Sequence, residues 1–159
     1  MTNPNPNFKA LIGKRSAARL AAVQALYQYD LNEQSIDRII GEFVTQHLGK
    51  EIDGVEYKDA DAEFFADLTR QTVKLREQID ARLADAISVR DADRVETLLR
   101  SIMRVGAFEL MGRKDVPAKV VITEYVDVAH AFYGGAEPGL VNAVLDRVAR
   151  AVRPEEFGQ

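Results

Sequence analysis

Apolar positions recur at helical spacing along most of the chain. After Ser35, a good N-cap, Ile36, Ile39, Ile40, Phe43, Val44 and His47 keep the i, i+3, i+4, i+7 pattern, and Gly49 can stop that helix. A longer stripe, Phe65, Leu68, Thr72, Leu75, Ile79, Leu83 and Ile87, predicts one long helix from Asp59 or Asp61 to about residue 88. Asp91 or Asp93 is then the candidate cap for a helix whose core face is Val95, Leu98, Leu99, Ile102, Met103 and Leu110, with Gly112 behind it. Pro117 and Pro138 stand near the starts of two more helices, where a missing N–H loses nothing. Upstream, an Ala-rich helix is predicted from residue 14 to 29, with Leu20, Val23 and Tyr27 on one face.

Only Val120-Val-Ile-Thr has strand propensity, and Val121, Tyr125, Ala129 and Phe132 there keep a helical period instead. The last stripe is Val141, Val144, Leu145, Val148 and Val152. A lone strand would have no ladder partner, so the pattern predicts an all-α fold, a compact bundle of about six helices. Pro4, Pro6 and repeated Asn make residues 1–13 a flexible tail, residues 14–154 a single domain, and 155–159 a C-terminal tail.

Composition adds little until charge is followed along the chain. The net charge of -4 is ordinary for a soluble protein. Residues 1–29, however, hold Lys9, Lys14, Arg15 and Arg19 and no acid, which leaves -8 on the remainder. A basic start on an acidic body offers one surface to phosphates and another to a basic protein. Arg15 and Arg19 are four apart, on one helical face near an N-terminus, where cations oppose the helix dipole and a phosphate partner would reverse that cost. With no cysteine, disulfides and thiol chemistry are excluded. The sequence has no apolar run of the roughly 20 residues that span a bilayer and no signal-peptide pattern, which predicts cytoplasmic residence with no membrane partner.

No catalytic signature is legible. P-loop, dinucleotide-binding, HExxH and G-x-S-x-G patterns do not occur, and Gly134-Gly135 reads as a turn. The two histidines, His47 and His130, lie far apart, and a metal needs about three converging ligands. No enzyme activity, cofactor or metal is therefore expected. The pairs Glu96 with Arg100 and Glu109 with Arg113 read as i, i+4 surface pairs.

Three stretches carry a resemblance. Arg15-Ser-Ala-Ala-Arg19-Leu-Ala-Ala-Val-Gln24-Ala-Leu26-Tyr27-Gln28-Tyr29-Asp30 resembles the N-terminal signature of the transcription antitermination factor NusB family. Ile102-Met-Arg104-Val-Gly-Ala-Phe108-Glu109-Leu110 follows, with Asp115-Val-Pro117, Ile122-Thr-Glu124, Ala129 and Phe132. The third is Val141-Asn142-Ala143-Val144-Leu145-Asp146. In order, they cover the chain from about residue 14 to 154.

The resemblance implies a NusB-like bundle of six to seven helices and no catalysis. It implies binding to boxA RNA of ribosomal RNA leaders as a heterodimer with ribosomal protein S10 (NusE), within an RNA polymerase antitermination complex that reads through terminators. A homodimer is a further possibility for the free protein. By position, Lys14, Arg15 and Arg19 fall in the RNA-contacting segment, and Tyr27 and Leu31 match positions facing NusE. Arg104, Glu109 and Asn142 also match, and their simpler reading is structural: a helix-pair charge contact and a buried amide. The chain departs from relatives that have consecutive arginines, because Ser16 and Ala17 interrupt the run. It also has Gly139-Leu140 where some relatives carry Lys-Phe. The alternatives are a protein-only helical adaptor, and the accessory domain of an RNA methyltransferase, for which the sequence leaves no room for a cofactor-binding domain.

Overall fold

The computed structural model describes residues 13–32, 34–48, 51–52, 55–56 and 61–158. Seven α-helices are formed among them: α1 (Lys14–Leu31), α2 (Ile36–Glu42), α3 (Ala62–Lys74), α4 (Arg76–Ala86), α5 (Thr97–Gly112), α6 (Ala118–Phe132) and α7 (Glu137–Val152). A π-helical turn, Phe43–His47, extends α2, and 3₁₀ turns occupy Ala92–Arg94 and Pro154–Phe157. The one sheet among the described residues is a minimal antiparallel pair, β1 (Glu51–Ile52) with β2 (Val55–Glu56), in the register Glu51 opposite Glu56. The expected tail over residues 1–13 lies outside the described residues except for Gly13, and so do Gly49 and Asp59.

The helices begin where local chemistry allows. Ser35 caps α2 by accepting the Arg38 N–H, and Asp61 caps α3 by accepting the Phe64 N–H at 2.9 Å. Glu96 caps α5, accepting from Leu98 and Leu99. Asp91 and Asp93, expected there, belong instead to the preceding 3₁₀ turn, Asp93 within it and Asp91 just before it, where Asp91 binds Ser88 and Arg94. The long predicted helix is two: at Leu75 the dihedrals leave the helical region (φ -100°, ψ 20°). The apolar stripe runs through the break, with Phe65, Leu68, Ile79 and Leu83 all buried.

α5 is the central element, touching α1, α3, α4, α6 and α7. Residues 101–110 are buried on every face, as a helix surrounded by others must be. α1 is its counterpart, and Ala17, Ala18, Ala21, Ala22 and Ala25 let neighbouring helices approach it closely. Leu20 and Tyr27 are only partly buried, so the core face of α1 is this alanine face with Val23 and Leu26. Close approach recurs at Gly106, where a Cβ would stand 2.8 Å from Leu145 Cδ1 and 3.2 Å from Tyr125 Cδ2.

The chain end closes the base. Arg153 is fully buried and donates to the carbonyls of Leu110, Glu109, Arg113 and Val116 and to Glu156. It satisfies acceptors that the C-terminus of α5 leaves free. Glu156 accepts the Ala118 N–H at 2.9 Å, so residues 154–157, part of which was expected to trail as a tail, are bound to the body.

Candidate nucleic-acid and partner interface

α1 starts without a side-chain cap and with Lys14 and Arg15 in its first turn. Its position is fixed by α3: the Lys14 carbonyl accepts the Asp61 N–H at 3.1 Å, next to the Asp61 cap. Lys14 is exposed. Arg15 is partly exposed, with its guanidinium 4.4 Å above the Phe64 ring centroid and 3.5 Å from Asp115. Arg113 lies over the same ring at 4.9 Å and pairs with Asp67 and Asp115. Burial pulls the Arg113 pKa down, but those two carboxylates outweigh it and raise it. Asp115 in turn is held below the usual carboxylate range, chiefly by the Arg113 hydrogen bond.

Arg19 belongs to this cluster in sequence but not in exposure. It also stands over Phe64, at 5.1 Å, yet it is only 3% exposed. Its guanidinium forms a two-pronged bond to the fully buried Glu109, Nε at 2.9 Å and Nη2 at 2.7 Å. The Tyr125 hydroxyl donates to the same carboxylate at 2.8 Å. Glu124 lies 3.5 Å from Arg19 and accepts from Ser16. Burial lowers the Arg19 pKa, but Glu109, with smaller help from Tyr125 and Glu124, more than offsets it and raises it. Burial drives the Tyr125 pKa well above its ordinary value, reinforced by the Glu109 charge. Glu109 is therefore no surface partner of Arg113. Arg19, predicted beside Lys14 and Arg15 on an RNA-facing surface, is turned inward and pins α1 to α5 and α6. Among the described residues, what stays open on this face is Lys14 and Arg15, with Lys114 exposed on the α5–α6 loop.

The other end of α1 presents the predicted partner positions. Leu31 is 58% exposed, and Tyr27 is half-buried close to Tyr133. The Tyr133 hydroxyl donates to Glu96. Burial pushes the Glu96 carboxyl up, but that hydroxyl and the Leu98 and Leu99 amides hold it below the ordinary glutamate range. A groove of about 470 Å³ beside Leu31 is lined also by Tyr29, Asp30 and Arg76. Its wall is braced by Arg104, which grips Asp80 at 2.8 and 3.0 Å and Asp30 at 3.1 Å, joining α5 to α4 and α1. Asn142, expected as a buried amide, is exposed and lines a second groove between α6 and α7. Among the described residues no three acidic or histidine side chains converge as a metal would require, and none of the helices is long and apolar enough to cross a membrane.

The NusB family model matches residues 16–150. The chain belongs to the NusB family. Proteins described as "Transcription antitermination protein NusB" resemble it over their lengths. That of Rhodopseudomonas palustris strain TIE-1 is 46% identical, covering 97% of this chain and 89% of the relative. That of Nitrobacter hamburgensis is 44% identical with all of both chains covered. Two solved NusB structures share the fold. T. maritima NusB has a TM-score of 0.72 at 23% identity, covering 91% of this chain and 97% of its own. A crystal structure of antitermination factors NusB and NusE in complex with dsRNA matches with a TM-score of 0.69 at 24% identity, covering 86% of this chain and 96% of the matched one.

Proposed function

We propose that the protein is a transcription antitermination factor that binds boxA RNA of ribosomal RNA leaders as a heterodimer with ribosomal protein S10 (NusE), promoting readthrough by RNA polymerase in the cytoplasm. Family membership supports the reading, and one structural observation carries it for this chain: a single continuous helix holds two cations at one end and an exposed leucine at the other. Lys14 and Arg15 are the RNA contacts. Tyr27 and Leu31 are the NusE contacts, 12 and more residues further along α1. At about 1.5 Å per residue the two sites stand about 20 Å apart, close enough for one RNA to touch both proteins. The protein acts by binding and catalyses no reaction of its own. In the absence of NusE, Leu31 is free to meet a second copy, so a homodimer would compete with the heterodimer.

The inward turn of Arg19 reduces the basic surface and favours one rival, a protein-only helical adaptor. Titrating boxA and a scrambled RNA over a salt series separates the two. Lys14→Ala with Arg15→Ala should weaken binding and flatten the log–log salt slope by about 0.7 for each single-strand phosphate that is no longer neutralised. Unchanged affinity and slope in the folded variant would leave the adaptor reading standing.

A further inference from the structure

The second groove, about 550 Å³, lies between α6 and α7 above the C-terminal 3₁₀ turn. That volume lies in the range of small-molecule clefts and is ample for one flat ring. On one wall the Arg150 guanidinium sits 4.6 Å from the centroid of the Phe157 ring, held there by Asp146 at 2.9 Å. Thr123 and Asn142, both exposed, bring a hydroxyl and an amide to the groove. Lys119 is exposed at its edge.

The two acids that line the groove are engaged by the protein: Asp146 by Arg150, and Glu156 by the Ala118 amide and Arg153. The formal charges of Lys119, Arg150, Asp146 and Glu156 cancel, so a free phosphate has little to gain here. A neutral planar group with polar edges, tethered to phosphates outside the groove, fits better. The cations for such a tether are in place. Contacts that run partly through the interior, from Arg15 to Asp115, from Asp115 to Arg113, from the Arg113 carbonyl to the buried Arg153, and from Arg153 to Glu156, set the groove beside the Lys14–Arg15 face. Exposed Lys114 lies along that route, near enough to Glu156 for its charge to help hold that carboxyl below its usual range, an effect due mainly to the Ala118 amide.

We propose that this groove is a second single-stranded RNA contact, continuous with the Lys14–Arg15 face, in which one base stacks on the Arg150–Phe157 pair. Thr123 and Asn142 meet the edge of that base, and Lys114 and Lys119 hold the phosphates leading to it. Aromatic and guanidinium surfaces stack bases with little sequence preference, while side-chain amides and hydroxyls discriminate their edges. The inference rests on the reading of Lys14 and Arg15 as RNA contacts.

The test uses the full chain and single-stranded boxA RNA, either as the bare element or with a short extension at its 5′ or 3′ end. The readout is the ratio of the two affinities. An extension at one end should tighten binding at least about fivefold, the lower bound for one stacked base. In Lys114→Ala/Lys119→Ala, and separately in Phe157→Leu, the ratio should fall to about one. In Arg15→Ala both RNAs should weaken while the ratio persists. Equal affinities for extended and bare RNA at both ends, or a gain that survives both groove variants, would overturn the groove. Bare-element binding indifferent to Arg15→Ala would instead overturn the reading on which the groove rests. A thermal melt of Phe157→Leu checks that it folds, and the exposed lysine pair gives an independent answer if it does not.

Discussion

Glu109→Ala is the most informative single perturbation of this fold. The Glu109 side chain has no exposure and that of Arg19 has 4%, so solvent does little to screen their pairing. Removing the carboxylate strands the Arg19 cation with Glu124 alone, 3.5 Å away and itself 25% exposed. It also leaves the Tyr125 hydroxyl, in a fully buried side chain, without its acceptor. Breaking a buried pair from one side costs about 3–5 kcal/mol. An orphaned buried hydroxyl adds about 1–3 kcal/mol, part of which is the same loss counted twice. A total of about 4 kcal/mol is then a large fraction of the roughly 5–15 kcal/mol that holds a domain together. Urea unfolding should show a lower midpoint at an unchanged m-value. Replacing all three groups, Arg19→Met with Glu109→Leu and Tyr125→Phe, removes the stranded partners and should recover most of the stability. With Lys14 and Arg15 intact, that triple variant should also keep its affinity for boxA RNA. A Glu109→Ala loss below about 1 kcal/mol would refute the buried network. Loss of RNA affinity in the folded triple variant would return Arg19 to the RNA-binding surface.

Three further outcomes follow from the packing and the charges. Gly106→Ala should lower the melting temperature, because overpacking against Leu145 and the tethered Tyr125 costs about 1–3 kcal/mol, more than the helix-propensity gain of about 1 kcal/mol; a variant at or above wild type would contradict it. Arg153→Met should destabilise by about 3 kcal/mol or more, because four carbonyls lose a charged donor, and denaturant midpoints near wild type would refute the clamp. Glu96 has a folded pKa below its unfolded value of about 4.3, so its contribution is complete above that pH and is lost as pH falls through the folded value. Wild type should therefore exceed Glu96→Gln in stability at pH 7, with the gap closing as the pH drops below about 4; a gap constant down to pH 2 would show that the cap does not titrate.

The helices were legible because their burial is periodic. Phe65, Leu68, Ile79 and Leu83 form a stripe in sequence and a core in space. The break at Leu75 was not, since the stripe passes through it without a Gly or Pro to mark it. Arg19 shows a deeper limit. A cation on an Ala-rich helix beside Lys14 and Arg15 looks like surface, and what turns it inward is Glu109, 90 residues away. Local spacing instead paired Glu109 with Arg113, on the assumption that charged residues face water. Arg153 gave no signal at all, because its partners are mostly backbone carbonyls. Asn142 erred the other way: its neighbour Val141 is buried, while the amide itself opens onto a groove.

If one RNA touches both proteins, RNA and NusE must bind this chain cooperatively, and a single titration reads that coupling. With Lys14 and Arg15 as the cations open at the start of α1, the chain alone should bind RNA weakly, and with little selectivity, because phosphate contacts give affinity without sequence information. The -8 carried beyond residue 29 suits a basic ribosomal protein and should speed encounter. Labelled boxA RNA is titrated with the protein at fixed salt, with and without saturating NusE. NusE should tighten binding at least about tenfold, roughly 1.4 kcal/mol of coupling, and Tyr27→Ala should remove the enhancement. Identical curves with and without NusE would contradict it.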